Sequence, residues 1–144
     1  MNMVSDMEER AALDDGVARF LGVCAQDGEL RLSDIRSKAA SELKRYGDDL
    51  VTHLTQQGVT VPPAIQIAGT EDGRITVLGE HPAKEQIETL VNNDTRLLKW
   101  FKEIEVLFEI LRRSELRGTE AQLEAQRFNL GLTSIGSVAF FSLR

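Results

Sequence analysis

The sequence predicts an α+β fold, mainly helical, with helices packed around one β-hairpin and a long amphipathic helix at the centre. Three patterns predict it. Leu97, Phe101, Ile104, Phe108 and Leu111 follow a 4-3-4-3 spacing, the seam of a helix laid along another helix. Ile35, Ala39, Leu43, Tyr46, Leu50 and Leu54 recur at three- and four-residue steps and mark a second helix. Between them the period changes. Ala64 to Ala68 and Arg74 to Leu78 alternate apolar with polar residues on either side of Gly69-Thr70-Glu71-Asp72-Gly73, the signature of a hairpin.

In chain order, Ser5 and Glu8 have the spacing of a capping box and open a helix towards Leu21, which Asp14-Asp15-Gly16 can break. Asp27-Gly28 marks a turn between two short apolar runs, Val23 to Ala25 and Leu30 to Leu32. Ser33 is the expected cap of the next helix, and Asp34 stands four residues before Lys38 in the order that favours an ion pair. Gly47 lies inside that helix and weakens it by about 1 kcal/mol relative to alanine. Gly58 supplies a left-handed end, and Pro62-Pro63 forbids continuation.

An isolated hairpin is barely stable in water, so its Ile65, Ile67, Ile75 and Val77 face needs a cover of helices. Pro82 suits the first turn of a helix carrying Ile87, Leu90 and Val91, because the N–H it lacks would be unpaired there. Asn92-Asn93-Asp94 interrupts, and Asp94 or Thr95 caps the long helix, about Asp94 to Arg117. Gly118-Thr119 breaks it, and Leu123 and Phe128 suggest a short, mainly polar helix. Residues 1–128 then form one globular domain. The C-terminal tail, 129–144, docks on that domain, as a strand beside the hairpin, or on a neighbouring subunit, or orders only on meeting a partner. The stretch from Phe128 to Leu143 holds no charged residue, and Val138, Phe140, Phe141 and Leu143 crowd its end.

Composition narrows the function classes. The chain has 144 residues, with Lys+Arg 17 against Asp+Glu 23 and a net charge of -6. That balance disfavours nucleic acid as a partner, since phosphate contacts need clustered cations. No stretch approaches the ~20 apolar residues of a membrane span. Cys24 stands alone, which rules out a disulfide framework within the chain and any multi-cysteine metal site. The acidic start, with Asp6, Glu8 and Glu9, does not fit a signal peptide, so a cytoplasmic location is expected, with export lacking a cleaved signal left open.

No catalytic, cofactor or metal motif is found: no phosphate loop, no dinucleotide fingerprint, no nucleophile elbow and no His-Glu-x-x-His. Glu103, Glu105 and Glu109 line the flank of the long helix and are expected to be solvated. Val106 and Ile110 form an apolar pair on a face away from the seam, and few elements remain to cover both faces. The expected function is therefore a non-enzymatic interaction module, such as an adaptor, assembly component or export chaperone. It would bind a protein partner or a second copy of itself through Trp100, Val106, Ile110, Val138, Phe140 and Phe141. The alternative is a small ligand-binding or enzymatic domain with an anion held near His81 and Arg74, where a strand leads into a helix N-terminus. Neither reading calls for a cofactor.

Overall fold

The computed structural model describes residues 32–144. The Ser5–Glu8 capping box, the helix towards Leu21, Cys24 and the turn at Asp27-Gly28 lie outside the described residues. Among the rest the fold is α+β and mainly helical.

Helix α1, Leu32–Gln56, buries Ile35, Ala39, Tyr46, Leu50 and Leu54, as its apolar spacing requires. Ser33 lies inside it rather than at its cap, and Lys38 bonds Glu42 one turn further on, at 3.0 Å. Gly58, at φ 78°, ends the helix in the left-handed conformation, and the Val59 N–H donates back to the Leu54 carbonyl.

Strands β1, Ile65–Gly69, and β2, Ile75–Leu78, form the expected hairpin. Helix α2, Lys84–Asn92, follows. Pro82 stands in the turn that leads into α2, not in its first turn, because the Lys84 N–H already closes on the His81 carbonyl. Helix α3, Thr95–Leu116, opens with the Asp94 carboxylate accepting from the Leu97 N–H at 3.1 Å, the cap that the sequence proposes.

After α3 the chain departs from expectation. Only a single 3-10 turn, Leu123–Ala125, stands where a short helix is expected. Phe128 belongs to strand β3, Gln126–Thr133, which turns through Ser134 and Ile135 into β4, Gly136–Leu143. The physical reason is burial. As a strand, the segment places Phe128, Leu130 and Leu132 together on one face, whereas a short helix here would present far less apolar surface.

The four strands of the described residues are all antiparallel, in the order β2-β1-β3-β4. Register puts Ile67 between Val77 and Leu130, and Phe128 opposite Phe141. Ile65, Ile67, Ile75, Val77, Phe128, Leu130, Leu132, Ala139 and Phe141 thus share one face, and the helices cover it. Aromatic rings run through the interior in contact: Tyr46 with Phe101 at 6.3 Å, Phe101 with Phe128 at 5.9 Å, and Phe128 with Phe141 at 5.7 Å. A smaller cluster of Ile35, Ala39, Leu107 and Leu111 joins the start of α1 to the end of α3, so the two helices run antiparallel.

Gly47 is explained by this packing. A Cβ added there would lie 2.7 Å from both Cβ and Oγ of Ser137 on β4. The glycine gives up helix propensity so that α1 can lie directly on β4, where the Ser137 hydroxyl donates to the Leu43 carbonyl at 3.1 Å. Gly47→Ala is therefore expected to destabilise the protein by about 1–3 kcal/mol, against the gain of about 1 kcal/mol that propensity alone promises. Urea unfolding measures this, and adding Ser137→Gly should restore most of the loss.

Candidate interaction surface

A sheet's two outer strands present rows of backbone N–H and C=O groups that need partners or protection. At β2 that row is occupied by side chains of α2. The Asn92 carboxamide pairs with the backbone of Ile75 in both directions, accepting from its N–H at 2.8 Å and donating to its carbonyl at 3.0 Å. Glu88 accepts from the Val77 N–H at 2.9 Å and from the Thr76 hydroxyl at 3.2 Å. Three of the four outward backbone groups of Ile75 and Val77 are thus met by side chains of α2, which closes most of the β2 edge.

Among the described residues the β4 edge is not closed in this way. Thr133 and Gly136 face each other across the two-residue turn, so Val138, Phe140 and Ser142 carry the bonds to β3. The N–H and C=O groups of Ser137, Ala139, Phe141 and Leu143 point outward. Among the described residues no strand pairs with this row. The strand is eight residues long and contains no proline and no charged residue, the devices that usually protect an edge. On the sheet face away from the clustered core, Val138 is 47% exposed and Phe140 41% exposed; at the strand end Leu143 is 82% exposed. Gly131 makes room for this arrangement, since a Cβ there would stand 3.0 Å from a Val138 methyl.

The six residues expected at an interface separate in space. Val138 and Phe140 form the exposed pair on β4. Phe141, on the other face of the same strand, packs against the core and beneath Arg112 at 5.7 Å. Ile110 packs on the cluster that joins α1 to α3, and Val106 on α3 is 37% exposed. Trp100 lies in a network between the two helices. Its indole N–H donates to Glu42 at 2.7 Å, and the guanidinium groups of Arg45 and Arg96 stand over its ring at 5.6 and 5.7 Å.

Sequence reasoning did not single out Glu42, which is buried yet receives hydrogen bonds from Trp100, Lys38 and Arg45. It also missed Asn92 and Glu88 as edge seals, because their role depends on where α2 lies against β2. The second hairpin did leave a signal, the alternation of Phe128, Leu130 and Leu132 ahead of Gly136.

His81 and Arg74 stand at opposite ends of β2 and are not brought together. Both ring nitrogens of His81 are in use inside the protein. Nε2 donates to the Thr60 carbonyl at 2.9 Å and Nδ1 accepts from the Ala83 N–H at 3.0 Å, an arrangement that ties the loop after α1 to the start of α2. Among the described residues no group of three or more His, Cys, Asp or Glu side chains could hold a metal ion, and no helix is long and apolar enough to cross a membrane. Compared with protein-family models, curated proteins and solved structures, the chain gives no match.

The carboxylates of the helices divide by environment. Burial pushes Glu42 up, but the hydrogen bonds from Lys38 and Trp100 and the charges of Lys38 and Arg45 outweigh it, holding the carboxyl below its ordinary range. Glu105 and Glu109, expected on a solvated face, are half-buried. Burial raises both, and for Glu109 the Glu105 charge adds to the rise, while Lys102 and Arg144 draw each back only in part.

The stability consequences have opposite signs. A lowered carboxyl stabilises the fold above its unfolded pKa, and that contribution is lost as pH falls through the folded value. A raised carboxyl destabilises above its folded pKa, and the cost disappears as pH falls below the unfolded value, about 4.3. At pH 7, Glu42→Gln is expected to lower the urea midpoint and Glu109→Gln to raise it. Near pH 3.5 the ionisation part of the difference vanishes, so Glu109→Gln and the parent protein should unfold together.

Proposed function

We propose that this protein is a non-enzymatic interaction module that receives an extended protein segment on the outer edge of β4. The observation that carries this reading is the asymmetry of the sheet. One edge is closed by Asn92 and Glu88, and the other presents an eight-residue strand whose outer side no strand pairs among the described residues, beside exposed Val138 and Phe140. An added strand would satisfy the outward N–H and C=O groups of Ser137, Ala139, Phe141 and Leu143, while side-chain contacts with Val138 and Phe140 would select the partner. Main-chain pairing of this kind requires no cofactor and no reacting side chain.

The long helix enters this reading as a support. Leu97, Phe101, Ile104, Leu107 and Leu111 are buried within the domain, so α3 spends its apolar seam on holding the sheet. Val106 is the exposed apolar residue left on it and makes a suitable control position.

Ala139→Pro removes one outward N–H while leaving the bonds between β4 and β3 in place. Used as immobilised bait in lysate of the source cells, the parent protein should retain a defined protein that an Ala139→Pro bait retains at least tenfold less. A Val106→Lys bait should retain it normally. Equal retention by the Ala139→Pro bait, with its circular dichroism unchanged, overturns the reading.

A further inference from the structure

We infer that the segment received by β4 is β4 of a second copy, paired antiparallel about a two-fold axis through Phe140. The inference rests on the proposal that β4 is a docking edge, and it names the occupant. Three features select it.

The first is charge. From Phe128 to Leu143 the chain has no charged residue, within a protein of net charge -6. A charged peptide would find no counter-charge within β4 itself, the neighbouring cations being Arg112 on α3, Arg127 on β3 and Arg144 past the strand end, and burying its charges unpaired is costly. An identical strand brings none. Contact confined to this strip also keeps the acidic remainder of each copy in solvent.

The second is register. The outward backbone groups belong to Ser137, Ala139, Phe141 and Leu143, so a two-fold pairing must place odd-numbered residues opposite odd-numbered ones. The only such register that engages all four puts Ser137 opposite Leu143 and Ala139 opposite Phe141. It sets small residues against large ones throughout the hydrogen-bonded pairs. Val138 then falls opposite Ser142, and the two Phe140 rings meet at the axis as a cross-strand aromatic pair. Leu143, 82% exposed in one copy, lies beside Ser137 of the second copy, which itself rests against Leu43 and Gly47 of α1.

The third is closure. Two four-stranded sheets joined at β4 make one continuous sheet whose outer edges are both β2. At each β2, Asn92 and Glu88 occupy three of the four outward groups of Ile75 and Val77 and lie where another strand would have to pair, so addition stops at two copies instead of extending into a fibre. The sealed and the open edge become parts of one arrangement.

The test uses the full chain with Cys24→Ser, so that introduced cysteines act alone. In the proposed register the two copies of residue 140 form a non-hydrogen-bonded pair, with Cα atoms about 4.5 Å apart, a separation that a disulfide can bridge. Under mild oxidation, Phe140→Cys should link into a covalent dimer. Val138→Cys should not link to itself but should link to Ser142→Cys when the two are mixed. Light scattering of the unmodified protein near 100 μM should give twice the chain's 16.0 kDa. Ala139→Pro should return the mass to one chain, and so should Phe140→Lys, which keeps the backbone intact should the proline disturb folding.

A single-chain mass for the unmodified protein overturns the inference. So does self-linking at Val138→Cys without linking at Phe140→Cys, which requires another register. Neither result touches the bait experiment, in which retention of a different protein through β4 would still uphold the docking edge itself.

Discussion

Every strand at the margin of a β-sheet carries a row of backbone donors and acceptors, and how those rows are satisfied organises this protein. The β2 row is met by two side chains of α2, Asn92 and Glu88, which stand in for a neighbouring strand. This fixes the position of α2, because a carboxamide that pairs with both the N–H and the carbonyl of Ile75 tolerates little displacement. The short connection from Asn93 to Asp94 then sets the entry of α3. Among the described residues the β4 row has no such provision, and the exposed apolar residues of the sheet gather on that strand.

Behind the sheet the helices are held by apolar contact, with a few buried polar links that set their register. Rings from α1, α3, β3 and β4 touch in series, from Tyr46 through Phe101 and Phe128 to Phe141, so the packing of α1 is coupled to the C-terminal strand by continuous van der Waals contact. Gly47 and Ser137 bring the same two elements together directly. Glu42 fixes Trp100 from the other side and satisfies its indole N–H, so that the ring lies between α1 and α3 with its polar edge paired. A surface built on β4 is therefore supported by the interior as a whole and not by a loosely attached tail.

Much of this was legible in the chain. The steps from Ile35 to Leu54, the cap at Asp94, the seam from Leu97 to Leu111 and the hairpin around Gly69 to Gly73 are local patterns, and local patterns reflect the geometry of a single element. Reading failed where local signals competed. Leu123 and Phe128 fitted a short helix, while Phe128, Leu130 and Leu132 fitted a strand. The choice was made by β1, which offers Ile65 and Ile67 as partners more than 60 residues away. Glu105 and Glu109 looked solvated because a helix flank gives no hint of what other elements will cover it.

By itself the sequence determined the three described helices, the first hairpin, the absence of charge from Phe128 to Leu143 and the placing of Val138 and Phe140 in a strongly apolar end. These are properties of composition and of periods 2 and 3.6, which need no knowledge of distant residues. Only the tertiary structure decided that the C-terminal segment supplies two strands, with β3 against β1, that Gly47 marks a contact with Ser137, and that, among the described residues, one edge is closed while the other is open. Each of those depends on which groups meet across the fold. Backbone hydrogen-bonding capacity is the same for nearly every residue, so a sequence does not reveal which of its N–H and C=O groups will be left facing outward.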